Sequence, residues 1–333
     1  MDCELVPADA RPEACSHLVL LLHGLGGNAR DWNSVVRSIR KHASHEAGIA
    51  ILRPSLALRA TLSGAETCAH LALEEVKAAL GYYRSLRYCS IVALSFGGIY
   101  GRLLIERMVD QGLLGPVNEA GCPAGVGLQA ISFMTVATPH LGVRRSRPNS
   151  GFGWAFHKMA SCFGCAPRLV QEVMLEDNPE APMGPMLLRL VQDDCLNALR
   201  IFRHRSCYAN VFYDFMVPYG TAAIESCNPF EDRRSRDIER LESFRSIARA
   251  DLSTGQLLTE TAGTAMLLNE DPKKPLLEDA RDRLNHLGWQ KFACLLPALP
   301  NAHNAIVGNS LVCWQGRDIA EHIAMQVLEN AVA

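Results

Sequence analysis

Ser95 stands in the run IVALSFGGIYGR, residues 91–102, where an apolar stretch ends at a lone serine followed by paired glycines. A serine hydroxyl is a weak nucleophile until a base takes its proton, and the oxyanion formed when it attacks a carbonyl needs preorganised N–H donors. The chemistry open to Ser95 is therefore covalent acyl transfer, which requires a donor pair, a base and an acid that orients the base. LLLHGLGGNARDW, residues 20–32, offers the donors: an apolar run stops at His23-Gly24, and a glycine-lined loop can turn amides toward the serine. The expected donors are the backbone N–H groups of Leu25 and Phe96, the latter being the residue after the serine, with His23, Gly24 and Gly97 supporting them.

Base and acid are sought downstream, in the chain order serine, acid, histidine. The run CYANVFY, 207–213, leads directly into Asp214 and then FMVPYGTA, so Asp214 is expected at the carboxyl end of a buried strand. His303, in NAHNAIV, is expected in a loop ahead of a C-terminal helix carrying Ile319, Ile323 and Val327. His140, in ATPHLG, competes as base but precedes Asp214. Asp193, Asp194 and Glu225 compete as acid, although the first two fall in the helical pattern LLRLVQDDCLNALRIF.

The elements around these residues must present them at one edge. A nucleophile on a sharp strand-to-helix turn needs small residues two before and two after it, because strand and helix crowd there. Ala93 adds one methyl to the glycine usual at the first position, and Gly97 and Gly98 keep the helix close. Short continuous apolar runs at 18–22, 48–54, 90–94, 131–137, 207–213 and 289–296 alternate with helical patterns. That alternation predicts a mainly parallel sheet with helices on both faces. Ser63 and Glu66 predict a capping box before the stripe Ala69, Ala72, Leu73, Val76 and Leu80. Residues 145–205, with Phe152, Trp154, Phe156, Met159 and Phe163, are expected to form a cap insertion. Residues 225–285 are expected to be a charge-rich surface excursion. The 333 residues are read as one domain.

Two motifs suggest other chemistry. Gly24-Leu25-Gly26-Gly27-Asn28-Ala29 matches a dinucleotide fingerprint, but the next strand ends at Arg53-Pro54, where an NAD site would want an acid, so only an NADP reading survives, and it leaves Ser95 and the later motifs unexplained. Cys162 and Cys165 have metal or redox spacing, yet no second pair follows. Neither a metal nor a cofactor is expected. A net charge of −2 and a pI near 6.6 give no electrostatic footprint for nucleic acid. Twelve scattered cysteines lack the spacing of a disulfide scaffold. No apolar run reaches the roughly 18 residues of a membrane span, and MDCELVPADARPEAC does not resemble a secretory signal. The expected location is cytoplasmic.

At these residues the chain closely resembles the lipase-like putative serine esterase family of fungi and plants, within the α/β-hydrolases. The resemblance is carried by LLHGLGGNARDW, ALSFGGIYGR, FMTVATPHLG, the stretch 185–222 and LGWQKFACLLPALPNAHNAIV, and runs from residue 17 to the C-terminal helix apart from 225–285. It implies an α/β-hydrolase fold, with Ser95 as nucleophile, Asp214 as acid and His303 as base. Phe96 departs from the leucine usual in relatives, which bears on the shape of the acyl pocket. Relatives with an assigned substrate look like lipases acting on monoacylglycerols or related acyl lipids. The implied function is hydrolysis of carboxylic esters of lipids, the substrate an acyl lipid or small ester, with peripheral contact to a membrane or lipid droplet. The alternative is a catalytically silent hydrolase fold that binds lipid or protein.

Overall fold

A computed structural model describes residues 3–8, 10–44, 47–117, 127–143, 167–178, 180, 184–248, 273–298, 302–309 and 313–332. Its sheet contains β1 (Cys3–Val6), β2 (His17–Leu22), β3 (Ile49–Leu52), β4 (Tyr88–Leu94), β5 (Leu114–Gly115), β6 (Leu128–Val136), β7 (His204–Asn210) and β8 (Gln290–Cys294). The order is β1-β3-β2-β4-β6-β7-β8, with β5 pairing the start of β6. Every pairing is parallel except β1 with β3.

Helices cover both faces: α1 (Asn33–His42), α2 (Leu58–Leu62), α3 (Ala65–Tyr82), α4 (Gly97–Asp110), α5 (Arg168–Val173), α6 (Met186–Arg189), α7 (Asp193–Arg200), α8 (Tyr219–Ala223), α9 (Lys274–Asn285), α10 (Ala302–Ala305) and α11 (Trp314–Val332). The continuous apolar character of the strands follows from this double cover. Along β2, Leu18, Leu20 and Leu22 join the core under α3 and α4, while Val19 and Leu21 join the core under α1 and α11. Strand side chains alternate in direction, so a strand apolar at every position supplies two cores at once. Ile319, Ile323 and Val327 of α11 are fully buried in the second.

Several expectations are corrected. Strand β7 stops at Asn210, four residues before Asp214, so the acid sits in a loop rather than on the strand end. The Ser63–Glu66 capping box does not form. Ser63 closes α2, its hydroxyl donating to the Arg59 carbonyl at 2.8 Å, and Gly64 stands at the N-cap of α3. The Ala65 amide is taken instead by the Glu172 carboxylate at 2.9 Å, while Glu66 pairs with Arg107 and Arg189. The antiparallel edge strand β1 has no counterpart among the sequence expectations.

Of the interval 145–205, residues 145–166, with the aromatic cluster and Cys162 and Cys165, and residues 179 and 181–183 lie outside the described residues. The described remainder carries α5, α6, α7 and the start of β7, and Leu169, Leu187 and Leu196 join the core under α3 and α4. Of 225–285, residues 249–272 lie outside the described residues. Ile247 bridges Cys294 on the edge of β8, and α9 follows. None of the nine described cysteines is in a disulfide.

Candidate active site

The chain leaves β2 toward β3 on one side and β4 toward β6 on the other. In parallel sheets such a switch point opens a crevice at the carboxyl ends of the two strands. The His23-Gly24 loop follows β2 there, and Ser95 follows β4.

Ser95 adopts φ +55°, in the left-handed region. Its amide donates to the Val136 carbonyl at 2.8 Å, and the Gly98 amide donates to the Ser95 carbonyl at 3.0 Å. The close approach explains the small residues. A Cβ on Gly97 would lie 2.5 Å from the Leu22 carbonyl oxygen, and one on Gly98 would lie 2.2 Å from Thr138 Oγ1. Ala93 is fully buried, and its methyl faces Gly101, where there is room for it. Phe96 is buried with its ring edge-on to Tyr100, 5.9 Å between centroids, so its bulk enters the core.

The glycine loop is fixed from beneath. Buried His23 donates from Nδ1 to the Gly24 carbonyl at 2.9 Å and accepts the Leu56 amide on Nε2 at 3.3 Å. This pairing requires a neutral ring, and burial lowers the His23 pKa accordingly. Tyr100 Oη donates to the His23 carbonyl at 2.9 Å, and the Gly26 amide to Thr61 Oγ1 at 3.3 Å. No described acceptor takes the amides of Leu25 or Phe96.

His303 lies on the one-turn helix α10 rather than in an open loop. Its Nε2 is 2.8 Å from Ser95 Oγ, and its Nδ1 is 2.9 Å from Asp214 Oδ2. Asp214 Oδ1 accepts the amides of Met216 at 3.0 Å and Val217 at 2.9 Å, and Oδ2 also accepts Asn210 Nδ2 at 2.8 Å. Burial alone pushes the Asp214 carboxyl up, but His303, the Val217 amide and Asn210 outweigh it and hold the group below the ordinary carboxylate range. Ser95, Asp214 and His303 are 9%, 8% and 4% exposed, so their hydrogen bonds are largely shielded from water. A neutral imidazole bridging a hydroxyl and a carboxylate can accept the hydroxyl proton while its other nitrogen stays anchored.

The competing residues are elsewhere. His140 is buried, shares a 2.9 Å hydrogen bond with Thr135 Oγ1 and meets the Trp289 ring edge-on. Burial, with Arg102 and Lys291, holds its pKa well below that of free imidazole. Exposed Asp193 pairs with Arg283, Asp194 is exposed, and Glu225 pairs with Lys291. Arg53, in the dinucleotide reading, is engaged by Asn33 and Glu4. Among the described residues, no cluster of His, Cys, Asp and Glu could hold a metal ion, and no helix is long and apolar enough to cross a membrane. Sequence reasoning missed Asn210. The signal was an amide side chain four residues before an acid in an Asx-turn setting.

The family model and the curated relatives bear on the coarse class alone, an esterase or lipase. "Putative lipase ROG1" of Saccharomyces cerevisiae is 28% identical over 219 residues, covering 64% of this chain and 29% of that protein. "Putative lipase YDL109C" of the same yeast is 29% identical over 97 residues, 29% of this chain and 14% of that one. The matched part of the chain thus spans less than a third of either relative. Among solved structures, a fungal esterase from Rhizomucor miehei has 11% identity and a TM-score of 0.43, covering 95% of this chain and 74% of its own. A lipase-esterase related protein from Clostridium acetobutylicum has 11% identity and a TM-score of 0.35, covering 66% and 83%. The family model described as "Putative serine esterase (DUF676)" matches residues 12–229, which contain Ser95 and Asp214 and stop short of His303. With its α/β-hydrolase fold and that match over most of its length, the chain belongs to the serine esterase family DUF676.

Proposed function

We propose that the protein hydrolyses carboxylic esters of lipids through an acyl-enzyme on Ser95. The observation that carries the reading is the continuous chain from Ser95 Oγ to His303 to Asp214, at 2.8 and 2.9 Å. His303 Nε2 takes the hydroxyl proton as Ser95 Oγ adds to the ester carbonyl, and the oxyanion is received by the Leu25 and Phe96 amides. The tetrahedral adduct collapses, the alcohol leaves with the proton from His303, and the acyl group stays on Ser95. A water then gives a proton to His303 and attacks the acyl carbonyl; the fatty acid departs and Ser95 regains its proton. Asp214 keeps the Nδ1–H tautomer and stabilises the imidazolium. No metal or cofactor takes part in these steps.

An acyl-lipid substrate is supported by the exposed apolar side chains of Leu58, Tyr213, Phe215 and Trp314. Leu58 lies against Gly26 of the glycine loop, Tyr213 and Phe215 flank Asp214 in the chain, and Trp314 opens α11, whose Gly316 packs against Ala305 of α10. Peripheral contact with a membrane or lipid droplet, in a cytoplasmic setting, completes the proposal. A fluorophosphonate probe tests it: the wild type should be labelled and Ser95→Ala should not, and short and medium acyl esters should be cleaved while the matching amides are not. Absence of label on the wild type would favour a silent scaffold that binds lipid or protein.

A further inference from the structure

We infer that Asn210 is a positioning residue of this site, which sets how strongly Asp214 holds the protonated form of His303. The inference rests on the reading of Ser95, His303 and Asp214 as a triad, and goes beyond it in assigning the fourth side chain.

Asn210 is the last residue of β7 and is 1% exposed. Its Nδ2 lies 2.8 Å from Asp214 Oδ2, the same oxygen that faces His303 Nδ1 at 2.9 Å. A carboxylate offers only acceptors, so the amide must present its NH₂ end; turned over, it would set two oxygens against each other. The side-chain oxygen of Asn210 then has no hydrogen-bond partner among the described residues. Leaving a buried acceptor unpaired is costly, and a strand end needing only a polar filler would gain nothing from it. The donor facing Asp214 is the part of this side chain that is used.

The consequence follows from sharing one oxygen. Two backbone amides already occupy Oδ1, from Met216 and Val217. With Asn210 on Oδ2, the carboxylate charge is spread over four donors and less of it is directed at the imidazole. The proton that His303 gains from Ser95 is therefore held less tightly and passes more readily to the leaving alcohol. The same donor opposes transfer of the Nδ1 proton to Asp214, because it stabilises the ionised acid. His303 is the titratable group facing the carboxylate, so its protonation reports the effect.

Asn210→Leu removes the donor at similar size, and Asn210→Gln keeps an amide. In Asn210→Leu the acid limb of kcat/KM for a short-chain ester should move up by ~0.5–1 pH unit, because a less solvated carboxylate favours the imidazolium. Asn210→Gln should return the limb toward the wild-type position, and KM should change little in either. The downfield proton resonance of His303 Nδ1–H at low pH should move further downfield in Asn210→Leu. A purely structural role would lower the melting temperature or raise KM without moving the limb. A folded Asn210→Leu whose limb stays within about 0.2 pH unit of wild type overturns the inference. Asn210→Ala, read in the same way, stands in if the leucine variant does not fold. Fluorophosphonate labelling separates the two failures: an unlabelled wild type sinks the triad reading, whereas labelled variants with an unmoved limb sink only the role of Asn210.

Discussion

A Cβ on Gly24 would lie 2.9 Å from the Cβ of Ser95 and 3.4 Å from its Oγ. The turn after β2 and the turn after β4 are thus packed so closely that one side chain fills the space between them. Gly24→Ala should fold, because the contact lies at the edge of the core, yet it must displace the glycine loop or the serine. Misplacement of about 1 Å can cost roughly 10² in rate, and a loss of that size in kcat/KM is expected with little change in the thermal melt. A full-rate alanine variant would show that the loop has no part in positioning the reaction.

Asp214→Asn should melt like the wild type and lose on the order of 10³ to 10⁴ in kcat, as removal of the orienting acid does in triad enzymes. Asp193→Asn, Asp194→Asn and His140→Asn should each stay within roughly tenfold, about 1.4 kcal/mol of barrier. Short-ester kinetics across the four variants decide the assignment. Collapse of one of the three controls, with Asp214→Asn active, would move the acid or base elsewhere.

Glu172 supplies a stability prediction with an unusual sign. Burial pushes its carboxyl up to about 7, against the Ala65 amide and Arg168, which favour the charged form. The folded state therefore binds this proton more tightly than the unfolded chain does. Its contribution to stability is greatest at low pH and falls as pH rises from about 4.3 to about 7. Glu172→Gln, which cannot ionise, should gain on the order of 1–3 kcal/mol relative to wild type at pH 8 and little at pH 5, by urea unfolding at both pH values. An equal effect at the two pH values would contradict the buried, proton-binding carboxyl.

His322 should show the opposite slope to Glu172. Burial lowers its pKa to about 4, and its Nδ1 shares a 2.9 Å hydrogen bond with Tyr208 Oη beneath the rings of Phe244 and Phe292. A histidine kept neutral in the fold contributes stability above about 6.5 that is lost as pH falls toward 4. His322→Gln retains a polar partner for Tyr208 without the charge. The stability difference between wild type and variant should therefore shift by about 2 kcal/mol, against the wild type, between pH 7 and pH 4.5. A constant difference would mean the ring is not desolvated as described.

What was legible in the sequence divides along physical lines. The strands under both helical layers were readable because double burial makes them apolar at every position, as in LVLLL and SIVAL. Ser95, Asp214 and His303 were readable because chain order and small-residue spacing follow from backbone crowding, and the structure brings the three together. Edge strand β1 was not, since CELV is too short and too mixed to stand out from a polar N-terminus. The end of β7 is not marked in the composition, because VFY continues the β-forming pattern after the strand has stopped at Asn210. The cap of α3 could not be read locally at all. Its partner, Glu172, lies 107 residues away, whereas Asn210 is only four residues before Asp214, and its spacing to that acid is the one local sign of its role.

That distant cap also bears on the order in which the chain can assemble. The opening turn of α3 leaves amides that a local capping box would close within a few residues, but here the Ala65 amide waits for Glu172 to arrive from beyond β4, α4 and β6. Closing so long a loop carries an entropic cost that local helix formation does not. The middle of α3, with Ala69, Ala72, Leu73 and Val76 against the sheet, can form first, while its N-terminal turn stays frayed until the segment around α5 docks. Protection of the Ala65 amide from hydrogen exchange should therefore appear after that of Val76 during refolding, and Glu172→Ala should expose the first turn while leaving the rest of the helix closed.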